Sequence, residues 1–82
     1  IYFHPQFLRS YAKLPSDIKR KAEKREIVFR NNLFDRRLST HKLHGKLKKQ
    51  WSFSVDRRYR IVFEFNDSDV IFLDIGDHNI YQ

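Results

Sequence analysis

The chain contains no cysteine, and this absence excludes both a disulfide scaffold and a thiolate metal site. A chain without disulfides suits a reducing compartment, so we expect the protein in the cytoplasm. No apolar run approaches the length of a membrane span, and no signal peptide is recognisable. The sequence therefore predicts neither a membrane protein nor a disulfide-stabilised secreted one.

Glycine and proline are scarce, with two of each in 82 residues. This leaves little room for Gly-rich phosphate loops or Pro-rich linkers, and none is found. A chain of this length forms one domain, residues 1–82, with a small hydrophobic core. Aromatic residues make up 16% of the sequence and partly offset that small size.

Acidic residues are too few to balance the basic ones, which leaves a net charge of +7 and a pI of about 10. Between residues 36 and 50 every charged residue is Lys or Arg, whereas residues 70–82 contain neither. One face or edge should therefore be positive and suited to a polyanionic partner: nucleic acid, an anionic membrane or an acidic protein. The alternative is a solvated surface with no specific partner.

The first half of the chain predicts a strand followed by a helical hairpin. Residues 1–4 are aromatic and β-prone. Pro5 marks the start of a first helix and Pro15 its end, while Ser16 suits the N-cap of a second helix. Apolar residues recur at helical spacing in both: Phe7, Tyr11 and Leu14 in the first, and Ile18, Ala22, Phe29 and Leu33 in the second.

Residues 32–50 read as a long basic connection. A connection of this length and charge is more often functional than not. Three leucines should attach it to the core: Leu38, Leu43 and Leu47.

From Trp51 onward the apolar period becomes two, which predicts strands. The first ends at a tight turn at 56–58, the second at a turn at 66–69, and residues 70–75 form an apolar, central strand. The predicted class is α+β, with a helical pair on one face of a small, mainly antiparallel sheet. In the second strand Tyr59, Ile61, Phe63 and Phe65 should face the helices, and Arg60, Val62 and Glu64 the opposite side.

Arg60 is the first candidate for chemistry, because a strand arginine on the open face of the sheet can bind phosphate. Cleavage of RNA by its own 2′-OH needs a base, a cation near the phosphorane, and an acid for the leaving oxygen. Arg60 suits the second role. The alternative is a structural ion pair with Glu64.

Histidines could supply the proton transfers. His78 follows the last strand after Gly76 and Asp77, and Tyr81 lies three residues further on. His41 and His44 lie in the basic connection. A metal site made from these histidines is disfavoured, because no cysteine assists and the neighbouring lysines repel cations.

In this order, these motifs resemble the RelE/ParE toxin superfamily of bacterial type II toxin–antitoxin systems, especially its RelE, YafQ and YoeB members. The resemblance rests on Phe7, Tyr11 and Leu14, on the loop at 38–48, on the strand pair at 51–63, and on the terminal segment at 72–78 with its Gly-x-His. It covers nearly the whole chain.

The resemblance implies a microbial-ribonuclease-like fold ending in a three-stranded antiparallel meander. It also implies a bacterial or archaeal mRNA interferase that cuts mRNA in the ribosomal A site and is inhibited by a cognate antitoxin, without a cofactor or metal. Arg60 matches the arginine that binds the scissile phosphate, His78 and His41 match histidines used in proton transfer, and Tyr81 lies near the terminal aromatic. The residues expected to bind RNA or the ribosome are Lys42, Lys46, Lys48, Lys49, Arg57 and Arg58.

The chain departs from the family pattern at several positions. Tyr81 follows His78 by three residues rather than four, and Gln82 takes the expected place. Asp77 replaces the usual threonine, and its charge should favour protonated His78. Two other functions stay open: a non-enzymatic ParE-type inhibitor of DNA gyrase, and a catalytically silent RNA-binding module.

Overall fold

The computed structural model describes the backbone of residues 1–45 and 49–81, and all of their side chains except those of His78 and Tyr81. The described strands form one sheet in the order β1-β5-β4-β3-β2, with β1 parallel to β5 and the other neighbours antiparallel. The predicted α+β class is confirmed. The elements are β1 (Tyr2–Phe3), α1 (Pro5–Ala12), α2 (Ser16–Asn31), a 3₁₀ helix (Arg36–Leu38), β2 (His41–Lys42), β3 (Trp51–Ser54), β4 (Arg60–Asn66), β5 (Asp69–Gly76) and a C-terminal 3₁₀ helix (His78–Tyr81).

The two helices begin at their prolines or directly after them. Pro5 is the first residue of α1, and the Nδ1 atom of His4 caps that helix by accepting from the amide of Gln6 at 3.0 Å. The prediction of Ser16 as an N-cap is wrong by one residue, because Pro15 holds the extended flanking position and no side chain caps α2. No helix in the described part of the chain has the length and apolar character needed to cross a membrane.

Aromatic rings form the core between α2 and the sheet. Phe29 of α2 stacks on Phe53 at 4.7 Å between ring centroids. It also meets Phe63 and Phe72 edge to face, with centroid distances of 5.1 Å and 5.4 Å. Those three sheet residues are fully buried. This contact holds strands β3, β4 and β5 beneath α2, so it fixes the side of the sheet that stays open.

The connection at 32–50 is more structured than the sequence indicated. It contains the first 3₁₀ helix and strand β2, which pairs antiparallel with β3 through His41–Ser52 and Lys42–Trp51. A strand of two residues is too short to show alternation, so the sequence pattern could not reveal it. Leu38 and Leu43 are buried as predicted, and Leu47 lies outside the described residues.

The two faces of β4 follow the predicted alternation, but the burial of its residues does not. Val62 is buried, whereas Phe65 is 45% exposed. An irregularity in the pairing of β4 with β5 lies between Val62 and Phe63, where Val62 pairs with Asp74 and Phe63 with Phe72. The extra residue, Leu73, belongs to β5 and shifts the alternation of that strand, so that Phe72 and Ile75 both lie in the core. Strand β5 lies between β1 and β4, inside the sheet, as its apolar sequence predicted.

Candidate active site

Arg60 begins β4, and its guanidinium leans across the open face of the sheet toward β3 and β2. Its Nε donates to Oγ of Ser52 at 2.8 Å, and its Nη2 donates to the carbonyl oxygen of Ser39 at 3.3 Å. The alternative of an ion pair with Glu64 is not found. These two bonds hold one edge of the guanidinium and orient its planar fork.

His41 lies beside Arg60, with its Nδ1 atom 3.4 Å from the arginine's Nη2. The same Nδ1 lies 3.0 Å from the carbonyl oxygen of Ser39. A carbonyl oxygen only accepts, so the shorter contact places the ring proton on Nδ1, and a neutral His41 then carries its lone pair on Nε2. His41 and Arg60 thus donate to one carbonyl, which holds an imidazole beside a cation.

The first 3₁₀ helix sets the position of the Ser39 carbonyl. Ser39 ends this helix in a left-handed conformation, at φ 48°. At the other end Asp35 accepts from the amide of Arg37 at 2.9 Å and binds its guanidinium through both carboxylate oxygens at 3.0 Å. These bonds from Arg37, the side-chain bond first, lower the pKa of Asp35 to about 2. The guanidinium of Arg25 on α2 donates to the carbonyl of Arg37 at 2.9 Å and ties the segment to the helix.

The turn before Arg60 is built on Asp56, as the sequence predicted. Its Oδ1 accepts from the amides of Arg58 and Tyr59 at 2.8 Å each. Burial alone would raise the pKa of Asp56, but these amides and the ammonium group of Lys21 outweigh it and lower the pKa. The turn exposes Arg57 and Arg58 at the end of the sheet where Arg60 begins.

The C-terminal 3₁₀ helix folds back over the same face of the sheet. Gly76 is the partner of Arg60 in the β4–β5 pairing, and Ile80 occupies the space where a Cβ on Gly76 would lie. The carboxylate of Asp77 accepts from the amide of Asn79 at 3.0 Å and caps this short helix. The backbone of His78 and Tyr81 is therefore held next to the strand pair that carries Arg60.

The fold agrees with the family comparison. Residues 10–78 match the family described as the RelE-like toxin of the type II toxin–antitoxin system HigB. This chain belongs to the RelE-like toxins of type II toxin–antitoxin systems. The resemblance seen in the sequence is confirmed. No match was found among curated protein sequences.

Solved structures of related toxins share the fold of this RelE-like toxin. YafQ from E. coli strain BL21(DE3) superposes with a TM-score of 0.81 at 15% identity, covering 98% of this chain and 93% of its own. The RelB–RelE antitoxin–toxin complex from Methanococcus jannaschii gives 0.78 at 19% identity, covering 99% and 95%. The YoeB/ParE toxin from Agrobacterium tumefaciens gives 0.79 at 13% identity, covering 94% and 95%. At these identities the likeness concerns the fold alone.

The other residues predicted for the site of this toxin differ in where they lie and in whether the structure describes them. Lys42 pairs with Trp51 and so lies on the helix side of β2, away from His41. Lys49 is exposed beyond the end of β2. Outside the described residues lie Lys46, Lys48 and the side chains of His78 and Tyr81.

Two groups in the site were not foreseen from the sequence. Ser52 is fully buried and orients Arg60, and the carbonyl of Ser39 joins Arg60 to His41. Ser52 could have been found from the strand period, since it alternates with Trp51 and Phe53. The role of Ser39 could not, because a backbone carbonyl leaves no pattern in the sequence. Within the described residues no three His, Asp or Glu side chains are grouped to hold a metal.

Proposed function

We propose that this toxin is an endoribonuclease that cuts mRNA in the ribosomal A site by attack of the 2′-OH on the adjacent phosphate. The observation that carries the proposal is the pairing of Arg60 with His41 around one carbonyl, 3.4 Å apart. A fixed cation beside an imidazole with a free Nε2 meets two of the requirements for this reaction.

In the proposed first step, Nε2 of His41 accepts the proton of the 2′-OH. The 2′-oxygen then forms a bond to phosphorus, and Arg60 stabilises the negative charge that builds on the phosphoryl oxygens. Ser52 keeps the guanidinium in place through its 2.8 Å bond to Nε. Because this bond is made inside the sheet, the cation needs little reorganisation as the charge develops.

In the second step the bond from phosphorus to the 5′-oxygen breaks, and that oxygen takes up a proton. We assign the donor to His78, with Tyr81 as an alternative. The backbone of the C-terminal 3₁₀ helix lies beside Gly76, the partner of Arg60, which favours this assignment. The products are a 2′,3′-cyclic phosphate and a 5′-hydroxyl.

The charge of the toxin supports a ribosomal RNA partner. Arg57 and Arg58 are exposed next to the site, and Lys49 is exposed near β2. We propose that these residues bind phosphates of the ribosome or mRNA, together with Lys42, Lys46 and Lys48. Binding through several phosphates should weaken steeply with salt.

We also propose a cognate antitoxin as a protein partner. Similar solved structures include toxin–antitoxin complexes, RelB–RelE from Methanococcus jannaschii and DinJ–YafQ from E. coli. An antitoxin segment that covers Arg60 would block the phosphate, and its acidic residues would suit a chain of net charge +7.

The test is cleavage of a translated mRNA by the purified toxin in a defined translation system, with free RNA in parallel and with and without EDTA. We expect cuts within translated codons that persist in EDTA. Arg60→Lys should slow them about a hundredfold or more, because lysine keeps the charge but loses the oriented fork.

The matched control is Arg57→Lys, an exposed arginine in the preceding turn, which should reduce cleavage only slightly. Intact mRNA from a folded wild-type toxin would contradict the proposal. In that case gyrase inhibition, or RNA binding without cleavage, would be tested next.

A further inference from the structure

A concavity around Val62 lies on the open face of the sheet. Its volume is about 320 Å³, and its floor is formed by Val62, Leu73 and Ile80. Its polar wall is formed by His4, Gln6, Gln50 and Asp74. We call this concavity the Val62 cleft. Apolar surface below and a few polar groups at the edge are the usual features of a small-molecule site.

The hydrogen bonds inside the fold determine what the Val62 cleft offers to a ligand. Oδ1 of Asp74 accepts from the hydroxyl of Ser10 at 2.6 Å and from the amide of Ile75 at 2.8 Å. Among the described residues these bonds all fall on Oδ1, so Oδ2 keeps its acceptor capacity. Nδ1 of His4 accepts from the amide of Gln6, so a neutral His4 carries its proton on Nε2.

The cleft adjoins the Arg60 site through one cross-strand pair of the sheet. Val62 is the cross-strand partner of Ser52, and Ser52 is bonded to Arg60. Val62 follows Arg60 by two residues on the same face, a separation of about 7 Å. The phosphate and base of one nucleotide lie apart on a similar scale, so a phosphate at Arg60 can place its own base over Val62.

We propose that the Val62 cleft is a nucleobase subsite that holds the base of the nucleotide whose 3′-phosphate is bound by Arg60, and that it prefers guanine. The proposal rests on the nuclease function argued above. An unstacked RNA base is read by apolar contact with its face and by hydrogen bonds to its edge. Guanine presents N1–H and N2–H₂ on one edge, and the carboxylate of Asp74 accepts such donors.

Binding of mononucleotides tests the subsite without requiring cleavage. The toxin, labelled in its methyl groups, is titrated with guanosine 3′-monophosphate, uridine 3′-monophosphate and inorganic phosphate, and the spectra are followed by NMR. We expect the methyl signals of Val62, Leu73 and Ile80 to move with both nucleotides and not with phosphate. The guanosine nucleotide should bind about tenfold more tightly than the uridine nucleotide, as an extra pair of hydrogen bonds implies.

The Asp74→Asn variant tests recognition of the base while keeping the hydrogen bonds that Asp74 makes within the fold. The asparagine keeps an Oδ1 that accepts from Ser10 and Ile75, but places an NH₂ group where guanine's donors would bind. The preference for guanosine should therefore vanish while the uridine nucleotide binds as before. Asp17→Asn, in the first turn of α2, is the control and should change neither affinity.

Equal responses to nucleotides and phosphate, or an unchanged guanosine preference in Asp74→Asn, would overturn the subsite. The base at cleavage sites gives an independent readout. If the wild type cuts mRNA and the Asp74→Asn variant cuts with the same base profile, the subsite fails and the nuclease stands. If mononucleotides bind as expected and mRNA stays intact, the ribosomal nuclease fails and the subsite stands.

Discussion

Ile80 occupies the position above Gly76 that a Cβ atom would need, and Gly76 is the partner of Arg60 in the sheet. This contact joins the C-terminal 3₁₀ helix to the strand pair that carries the arginine. Glycine is required there by the close approach of a side chain, not by an unusual backbone conformation.

Gly76→Ala should therefore displace the C-terminal 3₁₀ helix. The added methyl group meets Cγ2 of Ile80 and must push it away, at a cost of about 1–3 kcal/mol in the free energy of unfolding. The rate of cleavage should also fall, because His78 belongs to the same displaced helix. The measurement is urea unfolding of the wild type, Gly76→Ala, Ile80→Ala and the double variant.

The double variant decides whether the contact is the cause. Removing the isoleucine branches makes room for the new methyl group, so the two changes should be less harmful together than their sum, by about 1 kcal/mol. Strictly additive effects would mean that Gly76 acts in some other way.

His41 is assigned as the base, and a substrate with sulfur in place of the 5′-oxygen tests this assignment. A thiolate leaves without a proton donor, so loss of the acid has little effect on such a substrate, whereas loss of the base still slows it. His41→Ala should slow cleavage of the oxygen and sulfur substrates alike, by about a hundredfold or more.

His78→Ala is the comparison in the same assay. It should slow the oxygen substrate strongly and the sulfur substrate only slightly, if His78 is the acid. The reverse pattern for the two histidines would exchange their roles and leave Arg60 in place.

The fold could be predicted largely from the spacing of apolar residues. Helical spacing around Phe29 and the period of two from Trp51 onward placed the helices and the main strands. The period also put Arg60 on the face away from α2, where it lies. The failures are local: Phe65 lies on the helix side of β4 but is 45% exposed, and pairing in a two-residue strand sends Lys42 to the helix side.

The site could be predicted only in part. The resemblance to the family brought Arg60 and His41 together as candidates, but not their meeting at one carbonyl. That meeting depends on the left-handed Ser39 and on a strand too short to show a pattern. Both are set by tertiary contacts, including Arg25 with Arg37.

Asp35 should make the segment before Ser39 sensitive to acid. Its pKa is about 2 in the folded toxin, below the ordinary value of 3.8, because Arg37 hydrogen-bonds its ionised form. Because the pKa is lower in the folded state, the ionised carboxylate stabilises the fold at pH values above the pKa of the unfolded chain. That contribution is lost as the pH falls from about 4 toward 2. The Asp35 side chain is partly exposed, at 22% of its surface, so solvent screening keeps the contribution to stability small.

The amide signal of Arg37 reports this titration by NMR. It should shift as the pH falls below 4, with a midpoint near 2, and Asp35→Asn should abolish the shift. Asp17→Asn should leave it intact. A midpoint near 4 for the wild type would show that the Asp35–Arg37 bond does not form in solution.

Phe29 should be costly to remove, because it contacts three buried rings of the sheet at once. Phe29→Ala leaves a cavity between α2 and strands β3, β4 and β5, and should lower the free energy of unfolding by about 3–5 kcal/mol. Phe34→Ala is the matched control, since Phe34 is 58% exposed and its change should cost under about 1 kcal/mol. Urea unfolding measures both, and similar losses for the two variants would contradict a core centred on Phe29.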